Sequence, residues 1–305
     1  MRPVFSILIP VHNREDCVRE TIESVLGQTF TDYELIVVND GSTDGTQAVL
    51  ESYGDRIKVI RQAQSGPEVA RNRAAVEAQG EYLALLDSDD LLTECALQTY
   101  DKVRRAFNSP PLILGSMDYF SDGNARNGKW DAAESVKVVN FPDFLAKDRT
   151  VGVSSSRIVI RKSTFQQCGG LRNSTPATFH LDDFNLLLRA GTSGPCMLVV
   201  EPITVLYRLH ASNSIRNVEA MIRGVLAVIT AERNREYPGG TTRRFARYAT
   251  IGGPLQLWCR NALKQKRLDL AVRLLKSGWP MLGAAILRKM RVLLGRRQQT
   301  VLVPN

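Results

Sequence analysis

The chain has 305 residues, a net charge of +9 and 44% hydrophobic residues, a composition that excludes a disordered or fibrous chain. Single domains usually contain about 100 to 200 residues, so the length allows one large domain and an appendage. The charge is unevenly distributed. Residues 1–220 contain 23 basic and 28 acidic residues, whereas residues 221–305 contain 17 basic and 3 acidic ones. The basic C-terminal third therefore predicts an anionic partner.

Cysteine usage and hydropathy predict a reduced compartment. The five cysteines are widely spaced and form no C-x-x-C pair, which argues against a disulfide framework or a structural zinc site. The apolar run at residues 4–11 ends at a proline without a cleavage site, so we interpret it as a buried strand. The longest uncharged apolar stretch near the C-terminus, residues 277–287, is shorter than the about 20 residues of a spanning helix. We expect a cytoplasmic protein, peripheral at most at the cytoplasmic face of the membrane.

The first 90 residues alternate between short β-branched runs and longer helical patterns. This alternation predicts parallel strands joined by crossover helices. The predicted strands are residues 4–10, 34–39, 57–61 and 82–86, and the predicted helices are residues 14–28, residues 46–53 and a third that opens at Pro67.

The remainder of the chain is less regular and then becomes helical. Strand-like runs at residues 112–117, 153–160 and 196–200 predict a mixed sheet. Beyond residue 218 we expect helices separated by turns at residues 237–240 and 252–254. The predicted fold class is α/β, a Rossmann-like mixed sheet flanked by helices with a C-terminal helical subdomain. We place the domains at residues 1–217, divided near residue 110, and at residues 218–305.

Polar clusters follow the first, second and fourth predicted strands. In open α/β sheets ligands bind beyond the carboxyl ends of the strands, so these clusters should face one crevice. They could instead be helix caps, since Asn, Asp and Ser are all favoured there. The clusters are Pro10-Val11-His12-Asn13, Asp40-Gly41-Ser42 and Asp87-Ser88-Asp89-Asp90.

The third cluster is the hardest to explain by structure alone. Asp87, Asp89 and Asp90 repel one another, and burial raises the free-energy cost of their charges. A divalent cation removes that cost, and an oxygen-rich site with substrate phosphates suits Mg²⁺ or Mn²⁺. The alternative is a solvated acidic loop.

Several motifs occur in a fixed order along residues 4–214. They are VFSILIP at 4–10, VVNDGSTDGT at 37–46, GP at 66–67 with ARN at 70–72, LDSDD at 86–90, GGL at 169–171, DD at 182–183, and YR at 207–208 with His210 and Ser214. In this order they resemble the family 2 glycosyltransferases, which have the GT-A fold. The first domain would then consist of a nucleotide-sugar half and an acceptor half.

The resemblance implies a role for each matching residue. The nucleotide would be bound by Pro10, His12, Asn13, Asp40, Arg71, Asp87 and Ser88, with Asp40 at a uracil-type edge and Asp87 at the ribose. Asp89 and His210 would bind Mn²⁺ or Mg²⁺ at the diphosphate. Asp183 would be the general base of an inverting transfer, because a carboxylate can remove the proton of the attacking hydroxyl.

The chain departs from the family pattern at two positions. Family members usually have Tyr where this chain has His12, and Glu where it has Asp182. The first departure leaves open whether the donor nucleotide is UDP or another one, and His12 could be non-functional. The second makes Asp182 the second choice for the base, although a helix-capping role fits Asp183 equally in sequence. His180 and Asp182 are placed on the acceptor side.

The resemblance predicts transfer of a sugar from a nucleotide diphosphate sugar, UDP-linked, to a hydroxyl of a saccharide or lipid-linked acceptor. Cell-surface polysaccharide or glycoconjugate synthesis is the expected setting. Two alternatives stay open: a sugar nucleotidyltransferase, for which the chain lacks a Gly-rich phosphate loop after the first strand, and a non-catalytic nucleotide-sugar binding module.

The C-terminal third has apolar residues at helical spacing among many basic ones. Leu268, Val272 and Leu275 fall on one face, as do Ile286 and Met290. Such helices can lie on an anionic membrane surface, or their apolar faces can dock on the first domain. Nucleic acid is not expected, because no recognised binding motif is present.

Overall fold

The computed structural model describes residues 2–121, 135–147, 151–172, 181–211, 213, 216–294 and 300–304. The strands are β1 (Phe5–Val11), β2 (Tyr33–Asp40), β3 (Lys58–Gln62), β4 (Tyr82–Leu85), β5 (Leu91–Leu92), β6 (Leu112–Leu114), β7 (Met117–Phe120), β8 (Ser135–Phe141), β9 (Ile158–Arg161), β10 (Cys196–Glu201), β11 (Val205–Arg208) and β12 (Thr300–Pro304). The helices are α1 (Val18–Leu26), α2 (Thr46–Glu51), α3 (Pro67–Glu77), α4 (Ala96–Ala106), α5 (Lys162–Gln167), α6 (Asp182–Arg189), α7 (Val218–Arg233), α8 (Arg244–Lys264) and α9 (Leu268–Leu294).

A nine-stranded mixed sheet forms the centre of the molecule. Its order is β12-β8-β10-β6-β9-β4-β1-β2-β3, and the four strands β4, β1, β2 and β3 are parallel neighbours. This part confirms the parallel arrangement predicted for the first 90 residues. A second sheet, β5-β11-β7, has three short strands and packs beside the end of β4.

The sheet is buried on both faces, as its continuous apolar strands require. Alternate residues of β1 point to opposite sides, so Phe5, Ile7 and Ile9 pack with α1 and α4 while Leu8 packs on the other face. That second core continues through α3 and α6 into α7, α8 and α9, as far as Met281.

Several sequence predictions differ from the structure in the second half of the chain. The run at 112–117 divides into β6 and β7, and the run at 153–160 becomes a strand only from Ile158, after a 3₁₀ turn at Ser155–Arg157. The turn predicted at residues 252–254 is wrong, because α8 continues through it. The strand β12 was not predicted; it pairs antiparallel with β8 at the sheet edge.

The C-terminal helices pack on one another and on the sheet. A buried ion pair joins α7 to α8, with Arg247 Nε donating to Glu232 Oε2 at 2.7 Å. The helix α7 begins at Val218, and the division of the chain at residue 217 stays a prediction. By length and composition α9 is the one helix of the described residues that could cross a membrane, with 39% of its most apolar window buried in the protein.

Candidate active site

A cleft of about 780 Å³ lies at the carboxyl ends of β1, β2 and β4, where polar clusters were predicted to meet. The start of α6, the strand β7 and the loop after β11 close its other sides. The lining residues are Pro10, Val11, His12, Arg14, Asp40, Gln64, Ser65, Gly66, Pro67, Glu68, Arg71, Asp87, Ser88, Asp89, Met117, Tyr119, Val153, Ser154, Ser155, Leu181, Asp182, Asp183, Tyr207, His210, Asn213 and Met221.

The structure brings nearly all of the sequence-predicted site residues into this cleft. Asn13 is not among its lining residues; its side-chain carbonyl accepts from the backbone N–H of Thr43 at 2.8 Å and so joins two loops. His180 and Ser214 lie outside the described residues.

Asp40 holds the turn between β3 and α3. It is 3% exposed, and its Oδ1 accepts from Gln62 Nε2 at 2.7 Å and from Ser65 N at 2.8 Å, while Oδ2 accepts from Gly66 N at 2.8 Å. Gly41 lets this turn approach closely, because a Cβ on Gly41 would lie 2.6 Å from the backbone of the turn. Asp40 can therefore accept a hydrogen bond from a nucleobase N–H only at the lone pair that Oδ2 retains.

The hydrogen bonds of His12 determine its tautomer. Its Nδ1 lies 2.9 Å from the carbonyl oxygen of Asp40, which can only accept, so Nδ1 carries the proton. In the neutral ring Nε2 is then an acceptor, and Gln64 Nε2 lies 3.1 Å from it. The imidazole is thus fixed edge-on to the turn and lines the cleft wall.

Arg71 and Asp87 form an ion pair in the floor of the cleft. The guanidinium of Arg71 comes from α3 and is 7% exposed, while Asp87 follows β4 and is partly exposed. Pro67 occupies the first helical position of α3, where proline is favoured, and Arg71 follows four residues later. The pair leaves one face of Asp87 open to the cleft.

Asp89 and His210 lie side by side in the cleft although 121 positions separate them in sequence. Their Oδ2 and Nε2 atoms lie 3.0 Å apart, and both side chains are partly exposed. Asn213 supports His210, accepting from its backbone N–H at 2.6 Å. Arg14, which sequence reasoning did not identify, brings its Nε to 3.7 Å from Asp89 Oδ2.

Asp90 has a different position from its neighbours and ties the two loops together. It is 1% exposed, and its carboxylate accepts from Ser156 Oγ at 2.6 Å and from the backbone N–H of Arg208 at 3.0 Å. Arg208 Nε in turn donates to the carbonyl oxygen of Asp89 at 2.9 Å. These bonds hold the loop after β11 against the acidic loop, which places His210 beside Asp89.

Burial raises the pKa of Asp90 well above its ordinary value, and the neighbouring carboxylates of Asp87 and Asp89 raise it further. Positive charge in the cleft would favour the ionised cluster.

The donor atoms fit a divalent cation. One oxygen each of Asp87, Asp89 and Asp90 lies within 4.8 Å of the others. Adjacent ligands of an octahedral ion with bonds of about 2.1 Å are about 3 Å apart, a spacing that the hydrogen-bonded atoms Asp89 Oδ2 and His210 Nε2 already have. Asp90 is already engaged by Ser156 and Arg208, so Asp89 and His210 are the better pair.

Asp183 also lines the cleft and lies in the first turn of α6. Its Oδ1 accepts from the backbone N–H of Phe184 at 2.6 Å. Burial raises the pKa of Asp183 from 3.8 to about 6; the Phe184 hydrogen bond opposes this and the charge of Asp87 adds to it. Asp182 also lines the cleft.

Sequence reasoning did not identify Arg14, Gln64, Glu68 and Tyr119, which also line the cleft. Arg14 directly follows a predicted cluster, so its position was a usable signal. Gln64 and Tyr119 belong to a turn and a short strand whose approach depends on tertiary packing.

A nine-stranded mixed sheet flanked by helices, with a cleft at the carboxyl ends of its parallel strands, defines a mixed α/β protein of the GT-A type, as predicted. The chain belongs to glycosyl transferase family 2, because the model of that family matches residues 6–168, more than half of its length. The predicted family is thereby confirmed.

Two curated relatives are similar over parts of the chain. TuaG of Bacillus subtilis (strain 168), assigned to teichuronic acid biosynthesis, is 44% identical over 93 residues. An uncharacterised glycosyltransferase of Rickettsia felis is 28% identical over 193 residues. The matches cover 29% and 62% of this chain but only 37% and 32% of those relatives' own lengths.

The fold is similar to that of solved structures. A crystal structure of S. aureus TarS 1–349 with UDP-GlcNAc has a TM-score of 0.66 and 15% identity, covering 96% of this chain and 90% of that one. The complex of TarS 1–349 with UDP has a TM-score of 0.57 and 18% identity, covering 91% of each chain. At these identities the likeness shows the fold.

Proposed function

We propose that the protein is an inverting, metal-dependent glycosyltransferase that moves a sugar from a UDP-linked donor to a hydroxyl of a saccharide or lipid-linked acceptor. The observation that carries the proposal is the 3.0 Å approach of Asp89 Oδ2 and His210 Nε2 in a cleft that Asp183 also lines. Family membership and the nucleotides bound by TarS support it. The assignment of TuaG supports a setting in cell-surface polysaccharide synthesis.

In the proposed complex the nucleotide lies over the ends of β1, β2 and β4. Pro10, His12 and the remaining lone pair of Asp40 surround the base, and the open face of Asp87 receives the ribose. Asp89 and His210 would hold Mn²⁺ or Mg²⁺ at the diphosphate. A cation bound there supplies Lewis-acid stabilisation of the departing diphosphate.

Asp183 acts on the acceptor side. It takes the proton of the acceptor hydroxyl as the oxygen attacks the anomeric carbon, and the bond from that carbon to the diphosphate oxygen breaks. The nucleoside diphosphate is the leaving group, the sugar becomes bonded to the acceptor oxygen, and the configuration at the anomeric carbon is inverted. A base with a pKa of about 6 is largely ionised at neutral pH yet basic enough to accept this proton.

Replacing the proposed base tests the reaction. Asp183→Asn should leave UDP binding within about twofold and lower transfer by about 10² to 10⁴, because only proton removal is lost. UDP release from UDP-sugars with a panel of aryl glycosides measures transfer. Asp182→Asn is the matched control and should keep most activity. Full turnover by Asp183→Asn would move the base elsewhere, and pyrophosphate release from UTP and a sugar phosphate would favour a nucleotidyltransferase.

Replacing the proposed metal ligand tests the donor site. Calorimetry with UDP should give tighter binding with Mn²⁺ than with a chelator for the unchanged protein, and Asp89→Ala should remove this difference. The control is Asp118→Asn, an exposed carboxyl on β7 that does not line the cleft. Equal Mn²⁺ dependence in Asp89→Ala would exclude Asp89 as a ligand.

A further inference from the structure

A stripe of exposed apolar side chains runs along α9. Its members recur every three or four residues from Leu268 to Trp279 and again from Ile286 to Leu293, so within each half they share one face of the helix. Trp279 is 70% exposed and Leu293 is 76% exposed. The stripe consists of Leu268, Val272, Leu275, Trp279, Ile286, Met290 and Leu293, which we call the α9 stripe.

The α9 stripe is not the face with which α9 packs on the protein. A different set of apolar residues on α9 is buried, and Gly252 of α8 lies so close to α9 that a Cβ there would meet the carbonyl oxygen of Met281 at 2.1 Å. The buried set includes Leu270, Leu274, Met281, Ala284 and Ala285. The apolar residues predicted from sequence spacing thus belong mainly to the exposed face, and a second face secures the helix.

Basic residues accompany the stripe. Between Leu268 and Leu294 the helix has five basic residues and one acidic one, Asp269. By helical position Lys276 and Lys289 border the stripe, and both are exposed; Lys289 Nζ donates to Gln256 Oε1 of α8 at 2.6 Å, so Lys276 is the one of the two expected to reach past the edge. An apolar face with a basic border matches an anionic lipid surface, which offers acyl chains below a layer of negative headgroups.

We propose that α9 lies in the surface of an anionic lipid bilayer, with the α9 stripe at the boundary between headgroups and acyl chains. Trp279, near the middle of the helix, would sit at that boundary, where aromatic side chains are favoured. The inference does not depend on the transfer chemistry.

The contacts of α9 favour lying on the bilayer over crossing it. A spanning α9 would uncover the buried set and break the bonds from Arg288 to Ala249 O at 2.8 Å and to Thr250 Oγ1 at 3.0 Å. The backbone also leaves helical geometry at Gly278, with φ −131° and ψ 15°. A surface-bound α9 keeps all of these contacts.

Vesicle co-sedimentation of the full chain tests the proposal. We expect binding to vesicles of equal parts phosphatidylglycerol and phosphatidylcholine, little binding to pure phosphatidylcholine, and weakening by salt. The double variant Trp279→Ser/Leu293→Ser should lose most of the binding. Lys276→Ala should weaken it about fivefold, the factor expected for one basic residue near such a surface. The matched control is Val76→Ser, an apolar residue of α3 that is 75% exposed.

Other outcomes would overturn the proposal. Equal sedimentation of the unchanged chain and the double variant with vesicles would exclude the α9 stripe as the lipid-binding surface. Resistance of the bound chain to alkaline carbonate would show a spanning helix instead. Absence of vesicle binding, with a dimer in ultracentrifugation that the double variant abolishes, would make the stripe an interface between two copies. Because the substituted side chains are exposed, thermal melting and UDP binding should be unchanged in every variant.

Discussion

Asp183 and Asp90 are both acidic residues of the cleft with raised pKa values, yet their surroundings give them different uses. Asp90 is buried and accepts hydrogen bonds from Ser156 and from the backbone N–H of Arg208, so its role is to hold two loops together. Asp183 is partly exposed to the cleft and bonded to the backbone N–H of Phe184. Of the two, only Asp183 lines the cleft, as the proposed base requires.

The raised pKa of Asp183 predicts the pH dependence of transfer. A general base works in its ionised form, so activity should be half-maximal at a pH of about 6, approach its plateau above it and fall toward tenfold per pH unit below it. The measurement is kcat/KM for the acceptor from pH 4.5 to 8. Asp182→Asn should keep this acid limb, whereas the residual activity of Asp183→Asn should lack it. A midpoint near the ordinary 3.8 would contradict the assignment.

At the scale of an element, the continuity of α8 through Gly252, Gly253 and Pro254 depends on its neighbour. The proline removes one helical hydrogen bond and the glycines disfavour a helix, so local sequence predicts a turn. The absence of a side chain at Gly252 instead allows α8 to pack against the backbone of α9 at Met281. Packing along the two helices outweighs the local preference.

The two glycines of α8 should respond oppositely to alanine. At Gly252 a Cβ would lie 2.1 Å from Met281 O, so Gly252→Ala should lower the free energy of unfolding by about 1 to 3 kcal/mol. A Cβ at Gly253 would meet no atom within 4 Å, so Gly253→Ala should raise the free energy of unfolding by up to about 1 kcal/mol through helix propensity. Urea unfolding followed by circular dichroism measures both. Equal effects of the two changes would refute the close approach of α8 and α9.

At the scale of the whole molecule, β12 joins the far end of the sequence to the central sheet. It pairs with β8 and covers an edge that would otherwise present unpaired backbone groups. Val303 packs into the same core cluster as Val136 and Val138, whereas Leu302 is 60% exposed. The C-terminal segment is thus part of the sheet and of its core.

Charge on the two faces of β12 should have unequal effects. Val303→Asp places a carboxyl group in a buried apolar site and should lower the free energy of unfolding by about 2 kcal/mol or more. Leu302→Asp on the exposed face should change it by about 0.5 kcal/mol or less. Thermal melting with light scattering would also detect aggregation through the freed edge of β8. If the two variants have the same melting temperature, β12 does not stabilise the sheet.

Much of the structure of residues 1–217 could be predicted from the sequence by itself. Parallel strands follow from continuous β-branched runs, and parallel strands in one sheet bring their carboxyl ends together, so Asp40 and the acidic cluster had to meet. The family motifs extended this to Asp183 and His210. These features are local in sequence, or carried by ordered motifs, and need no knowledge of packing.

Other features depended on contacts between distant residues, which only the tertiary structure decided. The 3.0 Å approach of His210 to Asp89, the use of Asp40 to hold a turn and the pairing of β12 with β8 join residues far apart in sequence. The sequence showed that α9 is amphipathic, but not which apolar face is buried. That choice depended on the close approach of α8, because steric fit at Gly252 selects one face and leaves the stripe exposed.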